Sequence, residues 1–232
     1  MREDKWGKIG VIIPAFNEEA SIAKVIGDIP EFVEEIVVGN NASTDETARE
    51  AINAGATVLL EERRGYGYAC LKGIHYFNSL QVKPDIIVFL DGDYSDYPEQ
   101  MLEIIKPILT GNADMVIGSR ALGNREVKSM TAPQVFGNWL ATSLIRLFYK
   151  VQFTDLGPFR AIKLDKLNDL NMEDTTYGWT VEMQVKAAKK GYKSVEVPVD
   201  YKARIGKSKV SGTVKGTIMA GYKILWTIFK YL

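Results

Sequence analysis

Short apolar runs alternate along the first half of the chain with stretches whose apolar residues recur at helical spacing. Ile9 to Ile13 is rich in β-branched residues and stops at Pro14, and Ile36–Val38, Thr57–Leu60, Ile86–Leu90 and Met115–Ile117 read in the same way as strands. Ile86–Leu90 is apolar at every position, the mark of a strand covered on both faces. Between these runs, Glu19–Ile29, Ser43–Ala54, Tyr68–Asn78 and Pro98–Leu109 predict helices. Ser43 followed by Glu46 forms a capping-box pattern, and Pro98 suits a first helical turn.

Beyond Arg120 the pattern is less regular. Pro133–Tyr149 predicts an aromatic-rich helix, Thr154–Lys163 a loop feeding a strand, Trp179–Lys190 a helix stopped by Gly191, and Ser194–Tyr201 a strand. Val214–Leu232 is apolar and aromatic but is interrupted by Lys215, Lys223 and Lys230. It reads as an amphipathic terminal helix, either docked on the core or lying on a membrane surface. The alternation of strand and helix predicts an α/β protein with a doubly wound, mostly parallel sheet flanked by helices. No repeat or linker divides it, so a single domain is expected over residues 1–211, followed by the terminal helix at 212–232.

Composition narrows the chemistry. Among 232 residues, one cysteine (Cys70) rules out an intrachain disulfide or a cysteine-cluster zinc site, and one histidine (His75) leaves a Ser-His-Asp triad or a His-based metal site unsupported. Cys70 reads as a small core residue and His75 as a packing or surface residue. Carboxylates, hydroxyls and basic side chains must carry any reaction. Zero net charge argues against a nucleic-acid binder. The zero is a cancellation: from Lys186 onward eleven Lys and Arg face only Glu196 and Asp200, a net of +9 against −9 in the rest. Such a basic, aromatic tail suits contact with an anionic membrane surface. Met1–Gly7 lacks a signal-peptide core and no uninterrupted apolar run is long enough to span a bilayer. The expected location is the cytoplasm or the cytoplasmic face of a membrane.

Ligands of open parallel sheets bind beyond the carboxyl ends of the strands. Those ends carry Pro14-Ala15-Phe16-Asn17-Glu18, Asn40-Asn41-Ala42-Ser43-Thr44-Asp45, Arg63-Arg64-Gly65-Tyr66-Gly67, Asp91-Gly92-Asp93 and Ser119-Arg120. Asp91 and Asp93, just off a buried strand, suit a hard divalent ion, Mg²⁺ or Mn²⁺, that also binds phosphate.

As an ordered set, Ile12-Ile13-Pro14-Ala15-Phe16-Asn17-Glu18, Asn41-Ala42-Ser43-Thr44-Asp45 and Leu90-Asp91-Gly92-Asp93 resemble the family 2 glycosyltransferases with the GT-A fold. The chain is most similar to the polyprenyl-phosphate sugar transferases of the dolichyl-phosphate mannose and glucose synthase type. Supporting segments are Arg64-Gly65-Tyr66-Gly67, Gly118-Ser119-Arg120, Asp155 to Arg160, and Arg204 to Lys209. The resemblance implies a UDP- or GDP-sugar donor, a divalent metal on Asp91 and Asp93, and inversion at the anomeric carbon. It places Pro14, Ala15, Asn17, Glu18, Asn40, Asp45, Arg64, Gly67, Asp91 and Gly92 at the donor, and Asp155 and Arg160 with the aspartate pair in the catalytic centre. Asn40 departs from the Asp common in the family and leaves the choice of base open, since an amide donates where a carboxylate only accepts.

A polyprenyl-phosphate acceptor is already ionised near neutrality, its second pKa being about 6, and needs positioning rather than a general base. Arg120, Arg160, Arg204, Ser208 and Lys209 are the candidate phosphate grip; pairing of Arg120 and Arg160 with Asp155 is the competing assignment. For a sugar hydroxyl, the alternative acceptor, Glu182 or Asp155 would have to serve as base. A non-catalytic nucleotide-sugar binder is the alternative outside enzymology.

Overall fold

The computed structural model describes residues 7–127, 129–206, 208 and 213–232. In the first half, β1 (Ile9–Ala15), β2 (Glu35–Asn41), β3 (Thr57–Glu61), β4 (Ile86–Phe89) and β5 (Met115–Ser119) alternate with α1 (Ile22–Gly27), α2 (Thr47–Asn53), α3 (Tyr66–Ser79) and α4 (Met101–Leu109). There follow α5 (Ala132–Tyr149), β6 (Arg160–Lys163), α6 (Leu164–Leu170), α7 (Trp179–Lys189), β7 (Ser194–Pro198) and α8 (Val214–Lys230).

The strands form one seven-stranded sheet in the order β3-β2-β1-β4-β6-β5-β7. All neighbours are parallel except β6, which runs against both β4 and β5. Both faces are covered, which is why the strands read as continuous apolar runs rather than alternating ones. Ile12, Ile87, Phe89 and Ile117 point to one cluster with Phe77, Ile145, Trp179 and Ile228 of α3, α5, α7 and α8. Val11, Ile13, Val88 and Val116 point to the other, against Val25, Ala51 and Ile105 of α1, α2 and α4. Cys70 is buried in the first cluster and His75 is exposed.

Four local differences from the sequence reading have clear causes. α1 begins at Ile22 rather than Glu19 because Glu18 to Ser21 first close a turn, with the Ser21 and Ile22 amides donating to the Glu18 carbonyl. Ser43 does not cap α2: its hydroxyl accepts from the Asn17 amide (3.0 Å) and so ties the ends of β1 and β2 together. A capping box forms instead at α5, where Thr131 and Gln134 bond reciprocally. α6, a two-turn helix closed by Asn171 in a left-handed conformation, was not legible as a separate element.

The sheet edge that matters is fixed by β6. Its reversal brings Arg160, at its first position, beside the carboxyl ends of β4 and β5, paired with Phe89 and Ile117. The loop before it therefore reaches the same edge as the loops after the parallel strands. β1 pairs with β2 on one side and β4 on the other, so the sheet's switch point opens between Pro14 to Glu18 and Asp91 to Asp93.

Candidate active site

The donor-side loops are held by side chains rather than by regular structure. Asn17 takes a positive φ (54°), and its carbonyl Oδ1 accepts from the Thr44 amide at 2.8 Å. The Glu18 amide donates to the Thr47 hydroxyl (2.8 Å), and Asp45 accepts from the amides of Thr47 and Glu19. Asp45 thus braces two loops at the start of α2. Pro14 and Ala15 are buried at the end of β1. Asn40 accepts from the Ser43 amide, and the Asn41 side chain spans the Arg63 carbonyl and the Gly65 amide. Arg64 is exposed, with its guanidinium 5.0 Å over the Phe16 ring. Gly67 lies at the start of α3 against the Asp174 carbonyl, where a Cβ would collide with main chain. At Gly92 a Cβ would meet only ordinary contacts, so space alone does not require glycine there.

Asp91 and Asp93 stand together at the mouth of the switch point. Burial, and then the Asp93 charge, push the Asp91 carboxyl up to about 6, while a hydrogen bond from the Tyr66 hydroxyl (3.0 Å) pulls the other way. Asp93 accepts from the Ser95 amide at 2.9 Å and is ion-paired to Arg204, whose guanidinium also lies 3.8 Å from Glu18. The segment around Arg204 is pinned above the pair by main-chain bonds from Lys202 to Ser95 and from Ile205 to Asp93. Ser208 is part-buried; Lys209 lies outside the described residues.

Asp96 adds a third acid. It is 2% exposed, and neither carboxyl oxygen makes a hydrogen bond among the described residues. Burial, and then the charges of Asp91 and Asp93, raise its pKa. Oxygen donors in excess of their cationic partners, one of them buried and unsatisfied, suit a hard divalent ion. Among the described residues no group of three or more acidic, His or Cys side chains encloses an ion by itself. The protein's share of such a site is the aspartate pair, with water and donor phosphates as the remaining ligands.

On the acceptor side the geometry changes two assignments. Arg160, proposed from sequence as catalytic and phosphate-gripping, is fully buried and donates to the carbonyls of Leu156, Gly157 and Thr180. Burial lowers its pKa to about 10. It shapes the loop entering β6, with Nε, Nη1 and Nη2 each donating to main chain. Arg120 forms the pair with Asp155 that was the competing reading: two side-chain bonds and one amide bond, each 2.8 Å. Burial opposes the Arg120 charge, but Asp155 outweighs it and the pKa is raised. Asp155, 1% exposed, is a fixed partner, with both carboxylate oxygens accepting from Arg120.

Glu182 is likewise committed. It is fully buried and receives the amides of Glu173 and Asp174, the Lys186 ammonium (2.7 Å) and the Tyr231 hydroxyl (2.7 Å). It anchors a loop and the C-terminus.

Beside the Arg120–Asp155 pair is a cavity of about 380 Å³ between α5 and the loops flanking it, reaching Thr154 and Asp155 at one end and carrying Arg125 and Arg146. It shares Met130, Val135 and Trp139 with an open recess of about 570 Å³ completed by Ala132 and Phe136. Asp96, Arg125 and Arg146 escaped the sequence reading, and Tyr66 appeared there only as part of the Arg64 to Gly67 segment, without its bond to Asp91. Only Asp96 carried a signal, standing three residues after Asp93; the others matter through neighbours distant in sequence.

The model of glycosyl transferase family 2 matches residues 10–170. An uncharacterised glycosyltransferase of Mycobacterium tuberculosis H37Rv is 35% identical over 219 residues, covering 91% of this chain and 94% of that protein. The undecaprenyl-phosphate mannosyltransferase of Micrococcus luteus is 29% identical over 222 residues, covering 90% of each. Among solved structures, glucosyl-3-phosphoglycerate synthase from M. tuberculosis, in complex with Mn²⁺, UDP-glucose and phosphoglyceric acid, superposes with a TM-score of 0.77 at 20% identity, over 98% of this chain and 80% of that one. That last likeness establishes the GT-A fold. With the family match spanning most of the sheet and its strand ends, the chain belongs to glycosyl transferase family 2 and is a glycosyltransferase.

Proposed function

We propose that this enzyme is an inverting, metal-dependent hexosyltransferase that moves a sugar from a UDP- or GDP-sugar to a polyprenyl phosphate. The observation that carries the reading is the cavity beside Asp155, which carries Arg125 and Arg146 and shares Met130, Val135 and Trp139 with an apolar recess completed by Ala132 and Phe136. Two cations next to an apolar surface suit a phosphate head on an isoprenoid chain. The engaged state of both Asp155 and Glu182 supports it, because a sugar hydroxyl would need one of them as base. A phosphomonoester needs none, its second pKa being about 6. The name of the M. luteus relative, an undecaprenyl-phosphate mannosyltransferase, is consistent with this acceptor.

In this reading Pro14, Ala15, Asn17, Glu18, Asn40, Asp45, Arg64 and Gly67 line the nucleotide, and Asp91 and Asp93 hold Mg²⁺ or Mn²⁺ against the diphosphate. The bound ion supplies charge neutralisation for the leaving nucleoside diphosphate. An acceptor phosphate oxygen attacks the anomeric carbon while the bond from that carbon to the diphosphate oxygen breaks. The electron pair leaves with the nucleoside diphosphate and configuration inverts. Arg125 and Arg146 orient the phosphate in the cavity, and Arg204 and Ser208 are further candidates for contact with it, as is Lys209, which lies outside the described residues; Arg120 and Arg160 keep the loop before β6 in shape.

The outer faces of α5 and α8 support a peripheral membrane contact. Phe136, Trp139, Phe148, Tyr222, Trp226 and Phe229 are exposed there, and no Asp or Glu occurs from Val127 to Thr154 or after Asp200. No helix of the described residues is long and apolar enough to cross a membrane.

The test is a screen of UDP- and GDP-hexoses with Mn²⁺ against three acceptors: polyprenyl phosphate, 3-phosphoglycerate and an oligosaccharide. Lipid-linked hexose should form, should vanish with EDTA, and should show a KM for lipid raised about tenfold or more in Arg125→Ala/Arg146→Ala. Product only on the oligosaccharide or on phosphoglycerate would overturn the lipid acceptor; nucleotide-sugar binding with no product on any acceptor would leave a binding protein.

A further inference from the structure

The C-terminal helix is joined to the aspartate pair by an unbroken set of contacts. Asp174, in the loop between α6 and α7, is 8% exposed. One of its oxygens accepts from the amides of Thr176 (2.8 Å) and Gly178 (3.1 Å), and the other takes the Lys223 ammonium of α8 at 3.0 Å. Thr227, one helical turn after Lys223, sits against Gly178, where a Cβ would collide with its hydroxyl. Glu182 receives the amides on the other side of the same loop and is itself bonded to Tyr231. The loop is thus fixed on three sides, two of them by the C-terminal segment.

Its remaining edge meets the start of α3. The Tyr68 amide donates to the Thr175 carbonyl (3.3 Å), and side chains at Gly65 or Gly67 would strike the carbonyl oxygens of Thr175 and Asp174. Gly65 also has φ 150°, which favours glycine. Between these two glycines stands Tyr66, whose hydroxyl holds Asp91 at 3.0 Å. A displacement of the loop has no slack to absorb it before it reaches Tyr66, because both glycines touch main chain.

We propose that α8 is a positioning element of the cation and donor site: Lys223, through Asp174 and the 174–175 main chain, sets where Tyr66 holds Asp91. The inference rests on the reading that Asp91 and Asp93 bind a divalent cation. It gives the terminal helix a task beyond surface contact, and it makes Tyr66 a positioning residue for a metal ligand, the kind of outer partner whose loss typically lowers metal affinity by 10- to 100-fold.

The experiment measures Mn²⁺ binding directly, from the free-ion EPR signal, with and without UDP, on the full chain. Tyr66→Phe and Lys223→Ala should each weaken Mn²⁺ binding by about tenfold. Lys223→Arg should restore it, and Tyr222→Ala, at an exposed α8 position, should leave it unchanged. Tyr66→Phe/Lys223→Ala should bind no more weakly than Tyr66→Phe, since both substitutions interrupt one path. Asp91→Asn is the control for the underlying reading and should abolish binding. If Asp91→Asn loses Mn²⁺ while Lys223→Ala keeps wild-type affinity, the role of α8 is overturned and the cation site stands. Additive effects in the double variant, or equal losses in Tyr222→Ala, would overturn the path; Mn²⁺ retained by Asp91→Asn would overturn the cation reading. Should Lys223→Ala melt early, Asp174→Asn, which keeps the amide-accepting oxygen, provides the same comparison.

Discussion

Asp91 carries the tension between stability and function. Its carboxyl is raised from 3.8 to about 6 by burial and by Asp93, so the folded protein favours the protonated form. The stabilisation tied to that proton is complete below about pH 3.8, declines as the pH rises towards 6 and is absent above it. Asp91→Asn should therefore stabilise the metal-free protein at pH 7 by on the order of 1 kcal/mol, a value discounted for the side chain's partial exposure, and give no gain at pH 4. Urea unfolding in EDTA at the two pH values checks this; equal effects at both would remove the electrostatic explanation. Glu61 works with the opposite sign. A hydrogen bond from Arg63 holds its carboxyl at about 2, below the ordinary 4.5. Its contribution is present above pH 4.5 and fades towards pH 2. The stability lost in Glu61→Gln should be visible at pH 7 and absent near pH 2.

α7 shows how a helix can carry a charged residue in its core. Glu182 is fully buried because four donors meet it: two amides, an ammonium and a phenol. Removing it strands the Lys186 charge and those amides, so Glu182→Ala should cost about 3 kcal/mol in chemical denaturation. A loss of a few tenths would mean that water replaces the carboxylate. From the sequence alone, Glu182 was as readable as a solvated helix residue or a catalytic base, because nothing local to α7 announces donors from residues 173–174 and 231. Arg160 repeats the lesson: its position in a family motif was legible, but the three carbonyls that absorb its donors come from residues 156, 157 and 180. The Ser43–Glu46 pattern predicted a cap, and a tertiary bond to Asn17 took the hydroxyl instead.

Across the whole molecule the charge is divided. Residues 1–185 carry a net of −9 and the rest +9, and α5 and α8, which expose aromatic side chains, carry no Asp or Glu. Binding to vesicles containing anionic lipid should exceed binding to neutral vesicles and should weaken as salt rises. Tyr222→Ser/Trp226→Ser, both on the exposed face of α8 and outside the acceptor cavity, should reduce it several-fold, with hexose transfer to a short, water-soluble polyprenyl phosphate analogue less affected. Salt-independent binding, or an unchanged double variant, would count against that face.

The sequence by itself determined the strand–helix alternation, the double-sided core and the convergence of polar loops on one sheet edge, because hydrophobic periodicity and strand-end chemistry are local signals. It also placed the aspartate pair and the family motifs. Only the tertiary structure decided which charged groups are available. Arg120 faces Asp155, Arg160 is spent on carbonyls, Asp96 is buried with no hydrogen bond to its carboxyl oxygens among the described residues, Arg204 sits on Asp93, and Tyr66 reaches Asp91. A residue's type states what it can bind, but whether a donor or acceptor remains free depends on neighbours brought together across the chain.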